Sequence, residues 1–426
     1  MRILHTADWH LGHRLYGNDR ATEHRQALDW LLELIERERA ELLIVAGDVF
    51  DTMNPSNAAR NLYYDFLGRL RATGCHSAVI VGGNHDSPTL MDAPADLLRH
   101  LDVHVVGGAR ERIEDQLVPI YRSKQDKEPA LIVAAVPFLR DRDLKYSVIG
   151  ESAGDKVRRM RESIRTHYRE IAAAAETFRP HAGVPIVGTG HLFASGATDA
   201  EDKETHIYLA DRSNISATEF ADCFDYVALG HIHRGQRVGG MNHIRYPGSL
   251  IPLTFGEARG PQWVLLTEVN KAGSEVAVTK HTVPVGRQLT TLSGTPEEVE
   301  KELRSLADRQ RGADACPSCP WVDIRVESPH PVPLLREKLS EICAPNEADE
   351  IAGIEELPRI LRTRWVSSRS ETEETQSVLP RDLAELQPEE VFYQLCHNDG
   401  PEREDYPELL ETLRELRDWM TQREVE

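Results

Sequence analysis

Five times between Met1 and Arg234 a short apolar run stops at a turn crowded with side chains that ligate metals. This repetition restricts the fold more than any other feature of the chain. Arg2 to Ala7 runs into Asp8-Trp9-His10-Leu11-Gly12, and Leu42-Leu43-Ile44-Val45 into Gly47-Asp48-Val49-Phe50-Asp51. Ala78-Val79-Ile80-Val81 leads to Gly83-Asn84-His85-Asp86, Pro185-Ile186-Val187-Gly188 to Gly190-His191, and Tyr226-Val227-Ala228-Leu229 to Gly230-His231-Ile232-His233. Apolar runs of this length, bounded by glycine and polar residues, read as buried strands. One Asn-His-Asp turn could be satisfied by its own backbone. Five such endings in succession point instead to a shared site.

Helical spacing of Ala27, Leu28, Leu31, Leu32 and Ile35 predicts a helix between Glu23 and Glu38, and a second falls around Ala58 to Ala72. The first part of the chain therefore alternates strand and helix. Right-handed crossovers bring the strand ends to one edge of a sheet, where α/β proteins place their sites. From Arg140 to Arg169 the chain is dense in bases (Arg140, Arg142, Lys145, Lys156, Arg158, Arg159, Arg161, Arg165), which reads as a solvated helix face or a phosphate-tracking surface. Strand-like material returns at Trp263 to Leu266 and Glu275 to Val278.

The 426 residues suggest two or three domains. The first, residues 1–284, closes near Pro284. Residues 285–366 read as a small α+β domain with a strand at Trp321 to Val326 and a helix at Pro333 to Ile342. Another helix opens at Thr295-Pro296-Glu297-Glu298, where Thr295 and Glu298 have capping-box spacing. Residues 367–426 form an acidic linker and two helices, the last with Leu409, Leu413, Leu416 and Met420 at coiled-coil-like spacing. That helix packs either on a partner or on its own domain.

A net charge of -20 argues at first against a polyanionic partner. From Glu371 onward, however, 17 acids face 5 bases, so the excess is concentrated in the tail. The first residues turn polar too soon for a signal peptide, and no apolar run approaches a membrane span of about 20 residues, so the expectation is a cytoplasmic protein without membrane contact. The 6 cysteines make no disulfide framework. Only Cys316-Pro317-Ser318-Cys319 has ligand spacing, and it lacks the second pair that a structural zinc site needs.

Collected, the strand ends supply Asp8, His10, Asp48, Asn84, His191, His231 and His233: oxygen donors and imidazoles without a thiolate. Such a mixture suits manganese, iron or zinc rather than calcium. It also exceeds one coordination sphere once water is admitted, so two metals sharing a bridging carboxylate are expected. A metal pair roughly 3.5 to 4 Å apart suits in-line displacement at phosphorus, which makes phosphoester hydrolysis the expected chemistry.

In this order the motifs Asp8-x-His10, Gly47-Asp48-x-x-Asp51, Gly83-Asn84-His85-Asp86, Gly190-His191 and Gly230-His231-x-His233 resemble those of the calcineurin-like metallophosphoesterases. More narrowly, His5 to Gly12, Val45 to Thr52 and Ala228 to Arg234, with Gly239-Gly240-Met241 and Tyr246-x-Gly248-Ser249, resemble the SbcD family of bacterial double-strand-break repair nucleases. The resemblance implies an α/β two-sheet sandwich flanked by helices, a small α+β capping domain that positions DNA, and a C-terminal helical segment docking on the coiled coil of an SbcC-like ATPase. It implies Asp8, His10, Asp48 and His233 as ligands of one metal, and Asp48, Asn84, His191 and His231 as ligands of the other, with Asp48 bridging. His85 is implied as the catalytic histidine on the scissile phosphate, with Asp86 orienting it. Two manganese ions per subunit, exonuclease action on DNA ends, endonuclease action on single strands or hairpins, a homodimer within a heterotetramer, and a place at the nucleoid complete what the family implies. Asp51 stands where some relatives outside bacteria carry histidine. The competing readings are a phosphoesterase of cyclic nucleotides or phosphoproteins on the same fold, and a scaffold that keeps the fold without its metals.

Overall fold

A computed structural model describes residues 1–140, 142–144, 153–195, 215–220, 222–312, 318–328, 332, 334–346, 349 and 357–366. Met1–Ser367 forms one compact unit, and Ser368–Glu426 is a second. The acidic linker, the terminal helices, Lys145 and Cys316 lie outside the described residues.

The first sheet has six strands. Arg2–Thr6, Leu42–Ala46, Ser77–Val81 and Val103–Val106 run parallel, and Trp263–Glu268 and Ala277–Thr282 complete the other edge antiparallel. Helices Ala21–Glu38 and Asn57–Leu70 are the crossovers. The second begins at Ser56, whose side chain accepts from the Ala59 N–H, and the first stops at Arg39 in a left-handed conformation. A second six-stranded sheet repeats the plan: Leu131–Ala134, Ile186–His191, Phe224–Gly230 and Ile244–Tyr246 are parallel, with antiparallel edges at Leu117–Ile120 and Gln236–Arg237. Its outer face is covered by helix Ala153–Phe178.

The continuous apolar strands now have an explanation in period two. Ile3, Leu42, Ile44, Val79 and Val81 point inward against Val133, Val187 and Ala228 of the second sheet, while Leu4, Leu43, Val45, Ala78 and Ile80 point outward under the crossover helices. Both faces of each central strand are buried, as in a sandwich flanked by helices. His5 also joins the sheets, its ring nitrogens 3.0 Å from the Tyr226 hydroxyl and 3.2 Å from the Leu229 carbonyl. Burial pushes its pKa down to about 3, so it crosslinks the layers as a neutral ring.

Residues beyond Pro284 build a three-stranded parallel sheet from Leu289–Gly294, Trp321–Glu327 and Arg359–Val366, packed on helices Pro296–Arg311 and Leu335–Ile342 around Val299, Leu303, Val322 and Ile324. The Thr295–Glu298 capping box forms as its spacing predicts. This smaller sheet is fixed to the sandwich by Leu289, Cys319 and Trp321 against Leu15 and Phe255, and by Arg287, which lies 2.7 Å from buried Glu23 and over the Trp321 ring. Cys319 accepts from Arg287 through its carbonyl at 2.7 Å. Among the described residues no helix is long and apolar enough to cross a membrane.

Several elements were not legible in the sequence. The strands Val103–Val106, Leu117–Ile120 and Leu131–Ala134 run directly into no turn carrying His, Asp or Asn, so nothing at their ends marks them as the other strands are marked. The basic stretch resolves largely into helix Ala153–Phe178, where Arg158 pairs with Asp155, and Arg165 and Arg169 with Glu162. Those pairs make it chiefly a solvated helix face. The expected strand at Glu275 to Val278 lies slightly later, at Ala277–Thr282.

Candidate metal centre

The parallel strands of both sheets end at the same edge, and the turns that follow them are laced together before any side chain is considered. The Asp8 N–H donates to the Gly47 carbonyl at 3.0 Å and the His10 N–H to the Asp48 carbonyl at 3.0 Å. From the second sheet, the His231 N–H donates to Asp8 Oδ1 at 2.9 Å, and His191 Nδ1 reaches the Ala46 carbonyl at 2.8 Å. Such tight interleaving needs residues without Cβ at two points. Gly47 has φ +89 and a Cβ there would run into the His191 ring, while a Cβ on Gly83 would run into the Asp48 carboxylate.

All seven residues expected to hold metal converge here. Ligand atoms of Asp8, His10 and His233 lie within 4.8 Å of one another, and so do those of Asp8, Asp48 and His191. Asn84 Oδ1 is 3.0 Å from His191 Nε2 and 3.0 Å from His231 Nδ1, which places the amide between the two imidazoles. His10 Nε2 faces His233 Nε2 at 3.2 Å and lies 3.5 Å from Asp48 Oδ2. His85 brings a ring nitrogen within 4.8 Å of donors on His10 and Asp48.

The donor chemistry fits cations. His191 gives its Nδ1 proton to the Ala46 carbonyl, an obligate acceptor, so its Nε2 presents a lone pair to Asn84 Oδ1 at 3.0 Å and Asp48 Oδ2 at 3.2 Å. Three acceptors converging in a buried cluster are tolerable only with a proton or a metal ion among them. Without an ion, protons take that place. Burial opposes charge on His191, but the Asp48 carboxylate overrides it and pushes the pKa up to about 9. On His233 the same burial is overridden by Glu257, which pushes it up to about 10. Burial drives His10 down to about 4 and His231 down to about 3, and lifts the Asp8 carboxyl to about 6. Asp48 stays below the usual carboxylate range because His191 outweighs the burial that would raise it. Metal ions on these donors would displace the protons.

One expected role is corrected. Asp86 does not serve to orient His85. Its fully buried carboxylate accepts from the backbone N–H groups of Gly83 at 2.8 Å, Phe50 at 2.9 Å and Val49 at 3.1 Å, so it ties the Asp48 turn to the Asn84 turn. A carboxylate there is more useful to three orphan backbone donors than to an imidazole. The ring of His85 is held by the Asp51 carbonyl, 2.8 Å from Nδ1. The His85 N–H in turn donates to Asp48 Oδ1 at 2.8 Å.

Three supporting residues were not singled out for these roles from sequence. Glu257, buried, lies 3.2 Å from His233 Nδ1 and also accepts from Ser249 Oγ and the Leu253 N–H, giving the carboxylate–imidazole brace common behind metal ligands. Asp51 Oδ1 lies 3.3 Å from His10 Nδ1 and 3.0 Å from His13 Nδ1. Arg140, grouped with the basic stretch, instead donates to the Asp86 carbonyl at 2.6 Å and holds the Asn84 turn. Glu257 follows no strand-end pattern, so nothing in its neighbourhood signals the brace; Asp51 did carry a signal, as the last residue of the second motif.

Residues 1–235 match the family described as Calcineurin-like phosphoesterase, and residues 285–399 match the Type 5 capsule protein repressor C-terminal domain. The chain is similar to proteins named as the SbcD subunit of the nuclease SbcCD. In Escherichia coli strain K12 the identity is 35% over 394 residues, covering 92% of each chain. In Rhodobacter capsulatus it is 32% over 410 residues, covering 92% of this chain and 93% of the relative. In Bacillus subtilis it is 29% over 330 residues, covering 76% and 79%.

Proposed function

Because this chain belongs to the SbcD family of calcineurin-like phosphoesterases, we propose that it is the metal-dependent nuclease component of a DNA-end-processing complex, acting on duplex ends and on single strands or hairpins. The observation that carries the reading is the convergence of His191 Nε2, Asn84 Oδ1 and Asp48 Oδ2 as lone pairs at one sheet edge. Asp8, His10, Asp48 and His233 would hold one divalent ion, and Asp48, Asn84, His191 and His231 the other, with manganese the metal and Asp48 the bridge. When bound, such a pair lowers the pKa of an attacking water and neutralises charge on the phosphoryl oxygens.

The chain's own groups do the rest. His85 gives its Nδ1 proton to the Asp51 carbonyl, so Nε2 is the nitrogen that meets a phosphoryl oxygen. Asp48 receives the His85 N–H, which ties the position of that ring to a metal ligand. Glu257 fixes the rotation of His233 through Nδ1, and Asp51 sets a carboxylate 3.3 Å from His10 Nδ1, leaving both Nε2 atoms for metal.

Residues 1–284 form the nuclease domain in this reading, and residues 285–366 cap it and position DNA. Residues 367–426 dock on the coiled coil of an SbcC-like ATPase, two copies of each chain making a heterotetramer in the cytoplasm at the nucleoid. The test is a substrate panel with manganese: duplex DNA, hairpin DNA, a cyclic nucleotide and a phosphopeptide. DNA should be cut, with two manganese ions per chain by elemental analysis and loss of both in Asp48→Ala. Turnover of the cyclic nucleotide or phosphopeptide without DNA cleavage would assign another phosphoesterase to this fold.

A further inference from the structure

Beside the metal cluster, on the far side of His233, lies a cavity of about 490 Å³ walled by Arg234, Gly256, Glu257, Arg259 and Trp263. Its volume falls in the range of about 300 to 1,000 Å³ that holds a small ligand. Among the described residues no carboxylate pairs with Arg234 or Arg259, whereas Arg69, Arg158, Arg169 and Arg304 each pair with a neighbouring acid. The one carboxylate in the wall, Glu257, is already turned to His233, Ser249 and the Leu253 N–H. The cavity therefore presents two guanidinium groups beside an acid that is internally satisfied.

Both arginines are anchored to the metal cluster by the shortest possible connections. Arg234 directly follows the donor His233, and Arg259 closes the 3-10 turn Glu257–Arg259, which begins at the residue bracing that donor. The chain at Gly235 lies on the Trp263 ring so closely that a Cβ there would come within 2.6 Å of it. The Lys280 ammonium caps that ring at 3.5 Å from its centroid. Two guanidinium groups and an aromatic ring lining one cavity beside a phosphoryl-transfer centre match a sugar–phosphate unit better than a carboxylate metabolite.

We infer that this cavity is a subsite for the nucleic-acid strand, in which Arg234 and Arg259 bind a phosphodiester neighbouring the one cut at the metal centre. The inference rests on the nuclease reading and supplies the positioning contact which that reading leaves unassigned. Both arginines are exposed, so their replacement does not disturb the core.

The experiment uses the full chain loaded with manganese and a short duplex, with kcat and KM measured over a salt series. In the Arg234→Ala, Arg259→Ala pair, KM should rise about tenfold, and the slope of log KM against log salt should fall by about one, as expected when one phosphate contact is lost. Manganese content should stay that of wild type. The Arg234→Lys, Arg259→Lys pair should restore the salt slope, because it restores the charge. Wild-type KM and slope in the alanine pair would overturn the subsite, as would a KM increase that lysine leaves with the alanine salt slope. A wild-type chain that cuts no DNA would defeat the nuclease reading itself, a result distinct from either.

Discussion

Replacing Asp86 should damage the protein in a way that separates architecture from chemistry. Its carboxylate satisfies three buried N–H groups, those of Gly83, Phe50 and Val49, on two different turns. In Asp86→Ala each donor is stranded at a cost of about 1 to 3 kcal/mol. Part of that is offset, because a charge no longer has to be desolvated, which puts the net loss near the lower end of the sum for three donors, about 3 kcal/mol. Asp86→Asn should cost less. Its single carbonyl oxygen can take the position of Oδ2, which serves Gly83 and Val49, and only the Phe50 N–H then confronts the new amide, for about 1 to 3 kcal/mol. Urea denaturation with excess chelator and with manganese measures both variants. Manganese affinity should fall alongside stability, because the two turns that drift apart carry Asp48 and Asn84. A stable Asp86→Ala that holds its metals but has lost turnover would refute this reasoning and return Asp86 to a direct role with His85.

Two further outcomes follow from the same geometry, and a third from the proposed docking role of the tail. His85→Ala should retain both metals while turnover falls by roughly 10² to 10⁴, the usual cost of a lost acid–base group, and loss of metal on elemental analysis would make His85 a ligand instead. In the metal-free protein, burial opposes protonation of His191 and His233, but Asp48 and Glu257 raise them to about 9 and about 10. Their contribution to stability is thus complete below about pH 6.5 and lost as pH rises through those values, and manganese loading near neutral pH should release about two protons per chain, measured by calorimetry in buffers of different ionisation enthalpy. A chain ending at Ser367 should keep manganese-dependent nuclease activity but lose binding to the ATPase. Leu413→Glu with Leu416→Glu should reproduce that loss, and undiminished copurification of the shortened chain with the ATPase would refute the docking role.

What the sequence made legible was whatever a strand end carries in its own few residues. Asp8, Asp48, Asn84 and His191 each follow an apolar run directly, and the parallel register of those runs brings them to one edge. Supporting contacts were illegible because they depend on a second chain segment arriving from far away: Glu257 reaches His233 across 24 residues, and Arg140 reaches the Asp86 carbonyl across 54. The misreading of Asp86 has the same origin. Adjacency to His85 suggested a pair, whereas the three backbone donors that claim its carboxylate become visible only once the Asp48 turn has folded beside it. The strands Val103–Val106, Leu117–Ile120 and Leu131–Ala134 escaped for a simpler reason, since none of them ends in a turn of metal-binding residues.

In the backbone at the cluster, four of the proposed ligands sit where local preference would put glycine. Asp8, His10 and Asp48 have φ of 51, 47 and 49, and His231 has φ of 100. A left-handed non-glycine residue costs about 1 to 2 kcal/mol, so these four residues, on three turns, carry a strain of several kcal/mol. Glycine would relieve it at every one of these positions, but it would remove a side chain proposed to hold metal each time. The curl cannot be given up either: Gly47 and Asp48 are left-handed in succession, and the turn they make follows the Ala46 carbonyl that receives His191 Nδ1. Backbone hydrogen bonds between turns, such as Asp8 N–H to Gly47 and His10 N–H to Asp48, hold the strained conformation. The donors are therefore fixed by the backbone before any ion binds, so little conformational entropy remains to be lost on metal loading, and the strain is the cost of that preorganisation.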